Sequence, residues 1–251
     1  MFRSAGRAVL ELLVPLHCAV CGAPASAGGR WALCPACARR LAALLQAAWC
    51  PACGRRAGPH TGDGRGCYFC RKFPVRFDGA VRLGPYEGPL KRLVLGAKYG
   101  GRPALAEMLG RLLAERLALA PWADEVDLVV PVPLHWGRRL QRGFNQAEVM
   151  AHRLAAALPK VRRPARRVLV RVRATAHQTS VPAARRRRNV RGAFRVVRPG
   201  RARGRSVLLV DDVMTSGTTV AECTRVLKRA GARTVYVAVA ATADFDEPGV
   251  W

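Results

Sequence analysis

The amino-acid sequence predicts an α/β fold, in which a mostly parallel sheet has helices on both faces and follows a small cysteine-rich module. Two mostly apolar runs, Val126–Val132 and Val207–Val210, are typical of strands that are buried on both faces. Each run is followed by a polar loop and then by a helical pattern, as in α/β domains. Eight of the nine cysteines lie before residue 75, so we expect two domains, residues 1–75 and 76–251.

The cysteines of the first domain form four Cys-x-x-Cys pairs at regular intervals. The pairs are Cys18/Cys21, Cys34/Cys37, Cys50/Cys53 and Cys67/Cys70. Each pair presents two sulfurs to one ion, and a second pair completes a tetrahedron, so the spacing predicts two structural Zn²⁺ ions. Sequential pairing is the simplest arrangement, with interleaved pairing, a single zinc ion or disulfides as alternatives. Disulfides suit a secreted chain, whereas we expect no secretion signal in this one.

The second domain alternates predicted strands and helices. They are a strand and turn at Phe77–Tyr86, helices at Leu90–Tyr99 and Arg102–Leu119, a strand at Val126–Val132, a helix at Gln146–Leu158, strands at Arg167–Val172 and Gly192–Val197, the strand at Val207–Val210 with its helix, and a last strand at Val235–Val239. Gly231 is expected to end the last helix and Cys223 to be buried in it. Lys98 and Tyr99 either face the site or cap their helix.

Two carboxylates directly follow the apolar run at Val207–Val210. Asp211 and Asp212 precede a turn rich in hydroxyls and glycine, Met214–Thr219, which leads into a helix. The N–H groups at a helix N-terminus are well suited to phosphate. Because carboxylates repel phosphate, we expect sugar hydroxyls or a divalent metal to lie between the carboxylates and the phosphate. The stretch therefore predicts a sugar-phosphate site, with an ordinary capped strand–turn–helix as the alternative.

A second anion site is predicted after the strand Val126–Val132. Its loop contains glycine with Arg138, Arg139 and Arg142, and Asn145 could cap the helix that follows. Farther along, residues 173–189 form a long basic insertion, which would act as a lid over a pyrophosphate or else form a structureless arginine tract. Ligands of parallel sheets bind beyond the carboxyl ends of the strands, so these loops are expected to meet at one edge.

The stretch SVLLVDDVMTSGTTV (Ser206–Val220) resembles the phosphoribosyl pyrophosphate (PRPP) motif of type I phosphoribosyltransferases. Ser216 stands where threonine is usual and keeps the hydroxyl. Together with the cysteine pairs, RGFNQAE (Arg142–Glu148), RVRATAHQ (Arg171–Gln178) and RRRRNVRGAF (Arg185–Phe194), it resembles the ComF family. That family is linked to DNA uptake in naturally competent bacteria, and the resemblance covers nearly the whole chain.

The resemblance implies a type I phosphoribosyltransferase-like fold and a role for each part of the site. Asp211 and Asp212 hold the ribose hydroxyls of Mg²⁺-bound PRPP, and are catalytic if the protein is an enzyme. The 5′-phosphate loop comprises Met214, Thr215, Ser216, Gly217, Thr218 and Thr219. The pyrophosphate loop and lid comprise Arg138, Arg139, Arg142, Gly143, Asn145, Gln146, Arg173, Gln178, Arg186 and Asn189. The implied partners are single-stranded DNA and DNA-uptake helicases or recombination proteins.

The formal net charge of +27 indicates attraction to polyanions such as nucleic acid, phosphorylated ligands or acidic membranes. No apolar run reaches the roughly 18 residues of a membrane span. Near the N-terminus, Glu11 interrupts a short apolar run and Pro15 ends it, so we expect an amphipathic helix and a cytoplasmic protein.

Three functions compete on these grounds. The first is a PRPP-binding protein of DNA uptake that contacts single-stranded DNA and acts as a phosphoribosyltransferase if it is active. The second is a non-catalytic nucleic-acid-binding protein that uses PRPP as a regulatory ligand, and the third is a nucleotide-salvage phosphoribosyltransferase. Unused carboxylates would hinder DNA binding, so the acid pair argues against a relic of an enzyme.

Overall fold

The computed structural model describes residues 17–25, 33–57, 66–72, 75–175 and 182–243. Its strands are β1 (Gly79–Pro85), β2 (Leu128–Pro131), β3 (Leu169–Arg171), β4 (Phe194–Val196), β5 (Ser206–Met214) and β6 (Thr234–Thr242). Its α-helices are α1 (Pro35–Leu45), α2 (Tyr68–Lys72), α3 (Gly88–Tyr99), α4 (Pro103–Leu117), α5 (Trp136–Arg142), α6 (Gln146–Ala156), α7 (Ala183–Val190), α8 (Pro199–Ala202) and α9 (Thr218–Arg229), with a 3-10 turn at Ala123–Glu125. The predicted N-terminal amphipathic helix lies outside the described residues.

The main sheet has four strands in the order β1-β6-β5-β2, and all its pairings are parallel. Successive residues of β5 point to opposite faces of the sheet. Leu208 and Val210 pack with α3, α4 and α6, whereas Val207 and Leu209 pack with α9 and with the hairpin of β3 and β4. Cys223 of α9 is buried in the second of these cores, as expected. The predicted parallel sheet with helices on both faces is therefore confirmed.

Three segments differ from the sequence-based expectation. The predicted strand Arg167–Val172 shortens to β3 and pairs antiparallel with β4 in a separate sheet. Only Leu169 of β3 is fully buried, which suits a small hairpin lying on a larger core. The loop expected after β2 contains the short helix α5. The arginine tract of the expected lid is helical in α7, where arginine, a good helix former, predominates.

The cysteine-rich segment packs against β1, which is an edge strand of the main sheet. The N–H of Ala80 donates to the carbonyl of Pro51 (2.7 Å), so the segment satisfies an edge donor. The buried Arg82 donates to the hydroxyl of Thr242 and to the carbonyl of Ala48 (3.4 Å). Thr242 in turn donates to the carbonyl of Gly54 (3.2 Å). The segment and the sheet thus share a buried polar network.

Within the described residues, no helix combines the length and the apolar character that crossing a membrane requires.

Candidate functional site

The acid pair lies at the carboxyl end of β5, between β6 and β2. The carboxylate of Asp211 accepts a hydrogen bond from the backbone N–H of Asp212 (2.8 Å). Burial raises the pKa of Asp211, the neighbouring charge of Asp212 raises it further, and the result is a pKa of about 7. A raised pKa is expected for a buried carboxyl group that lies beside a second carboxylate.

Lys98, near the C-terminus of α3, faces this pair. Its Nζ lies 3.1 Å from Oδ1 of Asp212, and both side chains are largely buried. Burial lowers the pKa of Lys98, but the charge of Asp212 and their hydrogen bond outweigh it, so the pKa is raised overall. Of the two roles foreseen for Lys98, the structure therefore supports the one in the site.

The hydroxyl-rich turn connects β5 to α9. Gly217 precedes the helix with φ of 73°, in the left-handed region that favours glycine. The hydroxyls of Ser216 and Thr218 lie 3.1 Å apart and are buried, which fixes the shape of the turn. The turn leads directly into the N-terminus of α9, where backbone N–H groups and the helix dipole favour an anion.

The opposite wall is built by α5 and the start of α6. Arg138 of α5 donates to the carbonyl of Thr175 (2.5 Å), and the guanidinium of Arg142 lies 5.1 Å from the centre of the Tyr99 ring. Asn145 accepts from the N–H of Ala147 (3.1 Å) and so caps α6 as predicted. It also donates to the carbonyl of Val132 (3.0 Å), which ties the cap to the end of β2.

These elements enclose a cavity of about 190 Å³, here called the acid-pair pocket. Its lining residues are Tyr86, Leu95, Lys98, Tyr99, Val132, Pro133, Leu134, Arg138, Arg142, Asn145, Arg171, Asp211, Asp212, Val213, Thr215 and Thr219. Of the predicted site residues, the pocket unites the acid pair, two residues of the hydroxyl-rich turn, two arginines of the basic loop and Asn145.

Arg171 and Tyr86 line the pocket but were not among the predicted site residues. Burial lowers the pKa of Arg171, and the nearby charge of Arg138 lowers it further. Arg171 is the first residue of the motif RVRATAHQ, and this motif could have identified it as a site residue. Tyr86 follows β1, and no sequence motif marks it.

Other predicted residues of the loops lie elsewhere. Gln146 is buried and donates to the carbonyl of Ala97 (3.0 Å). Met214 has its side chain in the core beneath the sheet. Gly143 ends α5 with φ of 76°. Arg139 points away from the pocket, toward Glu148 (3.3 Å).

The predicted lid residues also lie outside the lining of the pocket. Arg173 donates to the carbonyls of Asn189 and Arg191 at 3.0 and 2.9 Å, and thereby connects the end of β3 to the end of α7. Arg186 is buried. Gln178 lies outside the described residues. The described part of the predicted lid is therefore tied to the body of the protein.

The pocket combines two kinds of surface. On one side two carboxylates offer acceptors for sugar hydroxyls and hard oxygen ligands for a divalent cation. On the other sides arginine side chains and helix N–H groups offer donors to phosphoryl oxygens. A small molecule with both hydroxyls and phosphates matches this pattern of acceptors and donors.

The cysteines gather into two tetrads, Cys18/Cys21/Cys34/Cys37 and Cys50/Cys53/Cys67/Cys70, within each of which the sulfurs lie within 4.8 Å of one another. Individual separations include 3.7 Å for Cys21–Cys34 and 3.6 Å for Cys53–Cys67. A tetrahedral zinc ion with bonds of about 2.3 Å requires about 3.8 Å between sulfurs, whereas a disulfide requires about 2.0 Å. The tetrads fit zinc and follow the sequential pairing.

The parallel sheet, its pocket and the cysteine tetrads together define a phosphoribosyltransferase-like protein with a double zinc ribbon. Family models agree: the phosphoribosyl transferase domain matches residues 140–247 and the double zinc ribbon domain matches residues 9–71.

Curated relatives match both parts. The chain is 35% identical over 233 residues to the DNA utilization protein YhgH of Salmonella typhimurium, with 90% of this chain and 96% of the relative covered. It is 34% identical over 229 residues to YhgH of Escherichia coli K12, with the same coverage. It is 31% identical over 177 residues to competence protein F of Haemophilus influenzae, covering 68% of this chain and 76% of the relative. The chain therefore belongs to the ComF family of competence-associated, phosphoribosyltransferase-like proteins.

Proposed function

We propose that this protein binds Mg²⁺–PRPP in the acid-pair pocket and acts in the uptake or use of DNA, in contact with single-stranded DNA. The observation that carries the proposal is the opposition of the acid pair and the arginines across one pocket at the carboxyl end of the parallel sheet. PRPP has two ribose hydroxyls, a 5′-phosphate and a pyrophosphate, and the pocket has a matching group for each.

The proposed binding mode assigns each part of PRPP to one wall. Asp211 and Asp212 accept hydrogen bonds from the ribose 2′- and 3′-hydroxyls. The turn from Thr215 to Thr219 holds the 5′-phosphate with N–H groups and hydroxyls. Arg138 and Arg142 contact the pyrophosphate as charge-assisted donors.

Magnesium fits the donor set, because carboxylate oxygens are its preferred protein ligands, and when bound it would neutralise phosphoryl oxygens. The ionised state of the acid pair decides how well hydroxyls are held. The Nζ of Lys98 lies 3.1 Å from Oδ1 of Asp212 and places a positive charge beside the acid pair.

If the protein turns PRPP over, a nitrogen-containing acceptor forms a bond to the ribose anomeric carbon as the bond from that carbon to pyrophosphate breaks, and the electron pair of the broken bond leaves on the pyrophosphate. The ribose then carries positive charge in an oxocarbenium-like transition state. The buried carboxylates lie beside that charge, and Arg138 and Arg142 lie where negative charge accumulates. Positioning and electrostatics would supply most of the rate, as in other group transfers of this kind.

The cellular role rests on the family. The relatives are named a DNA utilization protein and a competence protein. Net charge of +27 suits a nucleic-acid partner. The proposal places the protein in the cytoplasm, where incoming single strands meet helicases and recombination proteins.

Isothermal titration calorimetry with Mg²⁺ and PRPP tests the binding. Hydrogen bonds to charged groups contribute about 1.5–3 kcal/mol each, so Asp211→Asn/Asp212→Asn should weaken binding at least about 100-fold. Asp124→Asn, which neutralises an exposed acid of the 3-10 turn, is the matched control and should bind like the wild type. Absence of heat with the wild type, or equal affinity in all three proteins, would remove the proposal.

Turnover is a separate measurement. Pyrophosphate release from PRPP, followed across a panel of nitrogen-containing acceptors with and without single-stranded DNA, distinguishes an enzyme from a protein that PRPP regulates. A catalytic role predicts release that is abolished in Asp211→Asn/Asp212→Asn. A regulatory role predicts binding without release under every condition.

A further inference from the structure

A second concave surface lies at the β2 edge of the sheet, opposite the edge that the zinc ribbon covers. Residues 163–168 run along β2 there, where the N–H of Ala165 donates to the carbonyl of Val129 (2.7 Å). This concavity has a volume of about 700 Å³ and is here called the arginine groove. It is lined by Arg139, His152, Arg163, Pro164, Ala165, Arg166, Arg167, Val168, Arg198 and Arg201.

Six arginines and a histidine thus converge on one surface with little counter-charge. The buried carboxylate of Glu148 contacts Arg139 (3.3 Å) and Arg166, and it holds these two guanidinium groups in place. The remaining four are exposed, and among the described residues none of them has a carboxylate partner. Such a concentration of like charge favours a bound polyanion.

The helix α5 forms one wall of the groove and also one wall of the acid-pair pocket. With about 100° between successive helical residues, Arg138 and Arg142 share one side, and Trp136 and Leu140 share the opposite side. Arg139 lies between these sides and reaches the groove. Trp136 is 70% exposed and Leu140 is 77% exposed. Trp136 precedes Arg139 by three residues, which places the uncovered indole next to Arg139 on the surface of α5.

We propose that the arginine groove, together with Trp136 beside Arg139 on α5, binds the sugar–phosphate backbone of single-stranded DNA and stacks a base on the indole. The proposal rests on the proposed contact with single-stranded DNA and assigns it to a surface. A positively charged groove beside an exposed aromatic ring is the combination that single strands need, because their bases are free to stack. Duplex DNA has its bases already stacked and gains nothing from Trp136.

Fluorescence anisotropy with a labelled oligodeoxythymidylate tests this surface over a range of salt concentrations. Arg163→Ala/Arg167→Ala removes two guanidinium groups without leaving a carboxylate unpaired. Each phosphate contact in a single strand contributes about 0.7 to the slope of log affinity against log salt, so the slope should fall by about 1.4 and affinity by about tenfold or more. Arg39→Ala/Arg40→Ala removes the same charge from α1, at the other edge of the sheet, and should change affinity by less than about twofold.

The stacking contact has its own variants. Trp136→Ala should lower the affinity for oligodeoxythymidylate about tenfold, whereas Trp136→Phe should retain most of the wild-type affinity. Inorganic polyphosphate, which carries charge without bases, should bind the Trp136→Ala protein as well as the wild type. Equal effects on both ligands would overturn the stacking contact.

The outcomes separate this surface from the broader function. If the wild type binds the oligonucleotide and only the α1 variant loses affinity, the groove is not the site, although DNA binding stands. Unchanged binding in both double variants also overturns the groove. If the wild type binds no single strand at all, the proposed DNA contact falls as well, whereas calorimetry with PRPP still reports independently on the pocket.

Discussion

The ammonium of Lys98 lies 3.1 Å from Oδ1 of Asp212, and this ion pair joins the end of α3 to the carboxyl end of β5. Two adjacent carboxylates would repel each other in a buried pocket, and one lysine offsets half of that charge. When both carboxyl groups are ionised, the acid pair and Lys98 together therefore carry a single net negative charge before any ligand binds.

Removal of this lysine should weaken PRPP binding at neutral pH. In Lys98→Met the positive charge that lowers the pKa of Asp211 is lost, so this pKa rises from about 7 and Asp211 is less often an ionised acceptor. We expect affinity at pH 7 to fall about tenfold or more and to recover partly at pH 8.5. Lys160→Met, at an exposed position that does not line the pocket, is the control, and calorimetry at both pH values measures the effect. Equal affinities of the two variants at pH 7 would contradict the role of Lys98.

The pH dependence of stability should reveal the raised pKa of Asp211. Its folded pKa of about 7 exceeds the ordinary value of 3.8, so the folded state holds the proton more tightly than the unfolded state. The contribution of Asp211 to the free energy of unfolding is complete below about pH 4 and is lost as the pH rises through 7. The free energy of unfolding should therefore fall by at most about 1.4 kcal/mol per pH unit over this range. Asp211→Asn should remove this slope, as measured by urea unfolding at pH 5, 6, 7 and 8. Parallel curves for the two proteins would show that the pKa is ordinary.

The glycine before α9 should be required for the phosphate-binding turn. Gly217 has φ of 73°, and an alanine in that conformation costs about 1–2 kcal/mol. Gly217→Ala should lower the free energy of unfolding by that amount and weaken PRPP binding. Gly200→Ala, in α8, is the matched control, because a Cβ there meets no atom within 4 Å. If calorimetry and urea unfolding gave the same values for both variants, the turn would not depend on the left-handed residue.

Metal removal should unfold the zinc ribbon and loosen the sheet edge beside it. Elemental analysis should return two zinc ions per chain for the wild type and for Cys223→Ala, and about one for Cys50→Ser/Cys53→Ser. Because Pro51 and Gly54 bond to residues of β1 and β6, hydrogen exchange should quicken at Ala80 in the latter variant. Two zinc ions in that variant, or none in the wild type, would refute the assignment of the tetrads.

The sequence was sufficient for the features that rest on local chemistry. Mostly apolar runs predicted the strands β2 and β5, because a strand buried on both faces needs them. The cysteine spacing predicted both tetrads, and the acid pair with its turn predicted one wall of the pocket. Asn145 was foreseen as a cap because its side chain acts on neighbouring N–H groups.

Long-range features were beyond the reach of sequence patterns. The antiparallel pairing of β3 with β4 depends on contacts between distant segments, and each strand is too short to show a period. Nothing in the local sequence of α5 indicates that Arg138 and Arg139 face different cavities. Their directions depend on the presence of a helix and on its orientation in the fold, which the sequence does not give. Arg82 resembles an exposed arginine in a strand, and only the packing of the zinc ribbon against β1 buries it.

A crystal structure of the protein soaked with Mg²⁺ and PRPP tests the central claim most directly. We expect density for the ribose within hydrogen-bonding distance of Asp211 and Asp212, with the 5′-phosphate at Thr215–Thr219 and the pyrophosphate toward Arg138 and Arg142. Density for PRPP at another surface, or an empty acid-pair pocket at a PRPP concentration that saturates the protein in calorimetry, would contradict it.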